Sequence, residues 1–143
     1  FFTPHIHKNT DHTPLPARFL TPHQTQASPE AYATVVAGMR LAVTKGTATE
    51  LNRTSYPVCG KTGTAENAGK DHSAFIGFAP MNRPKIAIAV YIEHGGFGAD
   101  MAAPIAGLIM EEYLKGRLSP RSLATAKRLE RMQTLEKRVS STK

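Results

Sequence analysis

The sequence predicts an α/β chain in which a helix, three strands, a second helix and a basic tail helix follow in order. Three observations predict it. A capped apolar stripe at helical spacing occupies residues 28–46. Three runs of strand length fill residues 57–93, two of them separated by a proline-bounded turn. Helical spacing then returns twice, over 101–115 and 119–139.

Residues 1–27 are rich in Pro, His and Thr and lack helical periodicity, so they read as a lead-in with one extended piece around His5-Ile6-His7. Ser28-Pro29-Glu30 is a helix start: a capping hydroxyl, a proline at the first helical position and an acid in the first turn. Tyr32, Val35, Val36, Met39, Ala42 and Val43 then recur at 3.6-residue spacing and predict one buried face, which Gly46 terminates.

The first strand is expected over 57–64 and the second over 72–79. Pro80-Met81-Asn82-Arg83-Pro84 makes the turn into the third, Lys85 to Glu93. Ile86, Ile88, Val90 and Ile92 fall on one face of that strand, and Ala87, Ala89 and Tyr91 on the other. Apolar residues on both faces predict a central strand covered on each side, with the alanines letting a helix sit close. His94-Gly95-Gly96-Phe97-Gly98 is a flexible loop, readable as a groove border or as a plain connector. The next helix, about Met101 to Lys115, is expected to face the core with Ile105, Leu108, Ile109 and Tyr113, and to end at Gly116. Ser119-Pro120 opens the tail helix, striped by Leu123, Ala126, Leu129, Met132, Leu135 and Val139.

At 143 residues and 41% hydrophobic content the chain is one domain or a piece of one. No apolar run approaches the ~20 residues needed to span a bilayer. The abrupt opening Phe1-Phe2-Thr3-Pro4 is expected of an excised fragment. The single Cys59 excludes an internal disulfide without choosing a compartment, and its strand position favours a buried, inert thiol. The whole net charge of +7 arises from residue 115 onward, while residues 1–114 sum to zero. Basic character thus belongs to the tail, as a solvated or self-docked helix or as a surface for a polyanion. The expected division is a body over 1–116 and a helical tail over 117–143.

Lys61-Thr62-Gly63-Thr64 closes the first strand, joining a cation, two hydroxyls and a backbone bared by glycine. Gly60-Lys61-Thr62 also ends a Walker A loop, but that motif requires glycine at position 55, which is Ser. For Gly69-Lys70 it requires glycine at 64 and a hydroxyl at 71, where the chain has Thr64 and Asp71. A phosphate loop is therefore excluded. What stays open is a strand end with an exposed lysine and a turn glycine, or a carboxylate-gripping site.

The surroundings decide. Val58 to Asn67, Asp71 to Pro80, Ile86 to Val90, Glu93-His94-Gly95-Gly96 and the upstream Gly46-Thr47-Ala48 resemble the class B, elongation-type penicillin-binding protein transpeptidases, from about Pro4 to Gly116. Lys-Thr-Gly is one of that family's three signatures. The resemblance implies an α+β architecture, an antiparallel sheet packed by helices, as a partial fold of the transpeptidase and serine β-lactamase type. It implies a D,D-transpeptidase that cross-links peptidoglycan stem peptides through a serine acyl-enzyme.

In that reading the Lys61 ammonium attracts the carboxylate of a stem peptide or β-lactam and eases proton transfer at a neighbouring hydroxyl. Thr62 and Thr64 donate to the same carboxylate, and Gly63 admits the ligand to the backbone. By resemblance, the Thr64 N–H is one of two oxyanion-hole donors. The strand should lie at a sheet edge, where an extended peptide can add.

The family's other motifs, Ser-x-x-Lys and Ser-x-Asn, are missing. The only Ser-x-x-Lys is Ser140-Ser141-Thr142-Lys143 at the chain end, where no rigid surroundings hold a nucleophile. The chain is therefore expected to be the C-terminal part of the domain and inert alone. A β-lactamase, a β-lactam sensor or a non-enzymatic basic module are the alternatives. No cofactor or metal is expected: His5, His7, His12 and His23 read as solvated. His72 reads as a strand-capping group or a groove residue. By resemblance the parent works on the periplasmic face of the inner membrane with cell-elongation membrane proteins, and no nucleic-acid partner is expected.

Overall fold

The computed structural model describes residues 14, 16–53 and 55–140. The lead-in segment His5-Ile6-His7, His12 and the terminal Ser141-Thr142-Lys143 lie outside them, as do the side chains of Leu135 and Val139. Two compact units divide the chain, Phe1–Ala33 and Thr34–Lys143.

In the first unit a short helix, α1 (Ala17–Leu20), interrupts the lead-in, which the absence of periodicity did not predict. Helix α2 (Pro29–Thr44) starts at the expected cap: the Ala31 N–H donates to Ser28 Oγ at 3.3 Å.

The second unit is built on three antiparallel strands in the order β1 (Cys59–Ala65), β2 (His72–Ala79) and β3 (Ile86–Ile92). Short connections restrict such neighbours to antiparallel pairing. Thr62 faces Phe75 and Phe75 faces Val90, so one sheet face carries Gly60, Thr62 and Thr64, then Ser73, Phe75 and Gly77, then the isoleucines and valine of β3. Phe75 is 1% exposed. Its ring lies over Gly60 and Gly77, where an added Cβ would stand 2.2 and 2.8 Å from ring carbons. Two glycines across the ladder thus make room for the largest fully buried side chain.

Helix α3 (Ala102–Lys115) covers this face and ends at Gly116 in the left-handed conformation, φ 68°. It turns its small side to the sheet: Ala103, Ala106, Gly107 and Met110 are buried. Ile109 and Tyr113, expected in the core, are exposed instead, and Ile105 and Leu108 are half-buried. The sheet supplies the bulk here through Phe75, so close helix approach requires small residues opposite.

Two further expectations are corrected. Of the α2 stripe only Val43 is buried, while Tyr32 and Val35 are 49% and 60% exposed. Val36, Met39 and Ala42 are half-buried, so the apolar face that periodicity marks is covered only in part. Likewise β3 is an edge strand, and β2 is central. Ala87, Ala89 and Tyr91 are exposed on the face opposite α3.

The tail helix α4 (Pro120–Ser140) is capped by Ser119, whose Oγ accepts from the Ser122 N–H at 3.3 Å. It docks on the unit rather than standing free. Leu129 is buried, though Leu123 is 49% exposed. Thr125 Oγ1 donates to Glu50 Oε1 at 2.9 Å and Arg128 pairs with Glu50 at 2.9 Å. Glu50 sits in a 3₁₀ turn (Thr49–Leu51) that the sequence reading did not contain.

Candidate active-site strand

Among the described residues the motif strand β1 pairs on one side only, with β2, so its other edge is open. Its start is held from two directions. Arg40 of α2 donates to the Val58 carbonyl and to Asn52 Oδ1, each at 2.9 Å. The Met81 N–H donates to the Pro57 carbonyl at 2.7 Å. Cys59 is fully buried, and burial pushes its thiol up in pKa, opposed in part by the Arg40 charge. It stays an un-ionised packing group.

Strand alternation separates the four motif residues into two pairs. Thr62 and Thr64 share the α3 face of the sheet, whereas Lys61 and Gly63 belong to the opposite face. The structure brings the two threonine positions to one side and sets the ammonium on the other. Lys61 is exposed, lines a shallow groove with Gly38, Leu41, Ala42, Lys45 and Gly46, and donates from Nζ to the Thr62 carbonyl at 2.6 Å. The ammonium thus contacts the backbone of the residue whose hydroxyl points the other way. Thr64 is exposed near the end of β1 and Thr62 is 9% exposed.

A third hydroxyl joins them. Thr47 Oγ1 lies 2.6 Å from Thr62 Oγ1. Sequence reasoning placed Thr47 within a family-like tripeptide but gave it no role. A hydroxyl beside a helix-ending glycine carries no signal of a partner fifteen residues away.

The loop after β3 supports the strand from below. Gly98 packs against Gly63 and Ala74: a Cβ there would lie 2.5 Å from both carbonyl oxygens. Ser73 fixes that loop. Its Oγ donates to the Phe97 carbonyl and accepts the first α3 amide, from Ala102, each at 3.0 Å. Ser73 is fully buried. A polar residue at a core-facing position of an apolar strand was the available signal, and it was missed.

His72 does not join this cluster. It shares the Lys61 face but stands opposite Ala65, four residues along β2 from the partner of Lys61, or about 13 Å at the usual strand rise. Its Nδ1 accepts the His94 N–H at 3.0 Å, and its ring lies 5.5 Å from Tyr91 and 5.0 Å from His94. Accepting at Nδ1 leaves the neutral ring's proton on Nε2. Among the described residues no group of His, Cys, Asp and Glu could hold a metal ion. Nor is any described helix long and apolar enough to cross a membrane.

The chain is 36% identical over 80 residues to the peptidoglycan D,D-transpeptidase MrdA of Haemophilus influenzae, covering 45% of this chain and 12% of that protein. It is 40% identical over 70 residues to the D,D-transpeptidase PbpA of Mycobacterium tuberculosis, covering 41% and 14%. The crystal structure of Pseudomonas aeruginosa PBP2 in complex with WCK 5153 superposes with TM-score 0.59 at 36% identity, over 69% of this chain and 23% of that one. The chain therefore spans about an eighth of the length of these curated relatives. The antiparallel sheet and its helices are a partial transpeptidase fold. Residues 2–111 match the penicillin binding protein transpeptidase domain, and the chain belongs to that family.

Proposed function

We propose that this chain is the Lys-Thr-Gly portion of a peptidoglycan D,D-transpeptidase whose nucleophilic serine and Ser-x-Asn motif lie in a segment outside residues 1–143. The observation that carries the reading is the motif on an open-edged strand, with the Thr62 and Thr64 positions on one side and the Lys61 ammonium on the other.

The division assigns separate tasks. A D-alanyl-D-alanine stem peptide, or a β-lactam, lies along the open edge of β1 as an added strand. The Thr62 and Thr64 hydroxyls donate to its terminal carboxylate. The Thr64 N–H polarises the scissile carbonyl, and losing such a donor typically costs about 2.7–4 kcal/mol of transition-state stabilisation. Lys61, from the other face, supplies a fixed positive potential where the serine's proton leaves. D-alanine departs and an amine from a neighbouring stem resolves the acyl-enzyme. His72, held by its bond to the His94 amide, is kept as a candidate substrate contact beside Ala65 at the far end of β1.

The exposed positions Ile76, Ala87, Ala89 and Tyr91 support this reading, because among the described residues only part of this apolar face, beside Met39, is bordered by α2, which fits a domain completed by further sequence. The parent is assigned to the periplasmic side of the inner membrane, alongside membrane proteins of cell elongation.

A fluorescent penicillin tests the proposal. The full-length protein should be labelled covalently, more slowly as Lys61→Ala, and the 143-residue chain alone should stay unlabelled. Covalent labelling of the isolated chain, or a parent sequence without Ser-x-x-Lys and Ser-x-Asn, would overturn it.

A further inference from the structure

The Thr47–Thr62 contact reaches beyond the motif. Resting on the function proposed above, we infer that Thr47 is a positioning residue that turns the Thr62 hydroxyl so its proton points at the ligand carboxylate.

Thr62 Oγ1 has one proton to give and two lone pairs with which to accept. The 2.6 Å contact with Thr47 Oγ1 is satisfied by either donor. A carboxylate resolves the ambiguity. It can only accept, so Thr62 must direct its proton outward, and the contact persists only with Thr47 donating. Thr62 then gives and receives at once, which strengthens its charge-assisted bond through polarisation. Without Thr47 the hydroxyl of a residue only 9% exposed loses the donor behind it.

Thr47 is held well enough for such a task. The residue before it, Gly46, abuts Ala42, where a Cβ would lie 2.8 Å from the Ala42 Cα. The residue after it, Ala48, is 1% exposed, and its N–H donates to the Ala42 carbonyl at 3.1 Å. Leu51, three residues further, is 2% exposed in the core. Thr47 itself is exposed. A threonine on a pinned backbone, its hydroxyl in a part-buried contact with a motif hydroxyl, is an arrangement for orienting rather than for packing.

The test uses the full-length protein and two probes, penicillin G and its neutral methyl ester, with second-order acylation rates as the readout. Thr47→Val should slow the free acid about 5- to 10-fold, the worth of one hydrogen bond of ordinary to charge-assisted strength, and change the ester less than about twofold. Thr47→Ser should restore the acid rate. Thr62→Val should show the same preference, and adding Thr47→Val to it should slow the acid no further. Equal slowing of both probes by Thr47→Val, or of neither, overturns the inference while leaving the proposed function standing. If Thr62→Val leaves the acid rate unchanged, the carboxylate clamp falls and the inference with it. No acylation of the wild-type protein by either probe would sink the functional proposal itself.

Discussion

Gly98 supports Gly63 through direct backbone contact, with no room for a methyl group between them. A Cβ at Gly98 would stand 2.5 Å from the Gly63 carbonyl oxygen and 3.0 Å from its nitrogen. The loop after β3 and the motif glycine are therefore one packed unit. Gly98→Ala should destabilise the chain by about 1–3 kcal/mol, the usual cost of overpacking a tight site. Gly69, with nothing within 4 Å of an added Cβ, is the contrast, and Gly69→Ala should stay within about 0.5 kcal/mol. Thermal melting of the two variants beside the parent chain checks both, and equal melting points would contradict the packing argument.

Ser73 holds the same loop by its hydroxyl. Ser73→Ala leaves the Phe97 carbonyl and the Ala102 amide without their partner in a fully buried place. The expected loss is about 1–3 kcal/mol, the range for an unsatisfied buried polar group. Urea denaturation measures it, and a loss under about 0.3 kcal/mol would show that the bridge is dispensable.

Glu111 makes the α3–α4 junction sensitive to acid. It is 6% exposed, Ser119 Oγ donates to its carboxylate at 3.3 Å, and Ser122 Oγ donates to the same oxygen. Burial pushes this carboxyl up in pKa, but the bonds from Ser122 and Ser119 and the Arg53 charge outweigh it, so the net shift is downward. A lowered folded-state pKa stabilises the fold above the ordinary carboxylate value, and that contribution disappears as pH falls through the lowered one. The stability gap between the parent chain and Glu111→Gln should therefore be full at neutral pH and close below the ordinary carboxylate range. Melting curves from neutral to strongly acidic pH follow the gap, and a constant gap would remove the charge from the explanation.

Glu50 ties α4 to the 3₁₀ turn, and its ion pair with Arg128 is partly open to water, at 33% and 45% side-chain exposure. Arg128→Ala should thus cost no more than about 1 kcal/mol and less in high salt. Glu50→Ala should cost more, since it also removes the Thr125 bond. Denaturant melts at low and high salt distinguish the two.

The elements with local signals were legible in the sequence. Ser28-Pro29 starts α2, Ser119-Pro120 starts α4, and Gly116 ends α3, because caps and left-handed glycines act within one turn. Strands β2 and β3 matched their expected bounds to within one residue, and β1 to within two. What failed was burial at a distance. Ile109 and Tyr113 read as core by size, yet the bulk of Phe75 required the small face of α3 instead. The motif itself was legible as residues. Its division across two strand faces followed from alternation once the strand was placed, whereas Thr47, Ser73 and Gly98 depend on contacts that no local spacing encodes.

The glycine pair beneath Phe75 also gives the strand a reading frame. Gly60 can face only Gly77 under that ring, so β1 has one acceptable phase against β2. A slip by one residue would carry the cation inward and the hydroxyls outward, exchanging every role at once. Length changes are therefore admissible in the exposed 66–70 connection but not between Gly60 and Thr64. A single insertion there would turn the Lys61 side chain to the α3 face and the threonine side chains away from it.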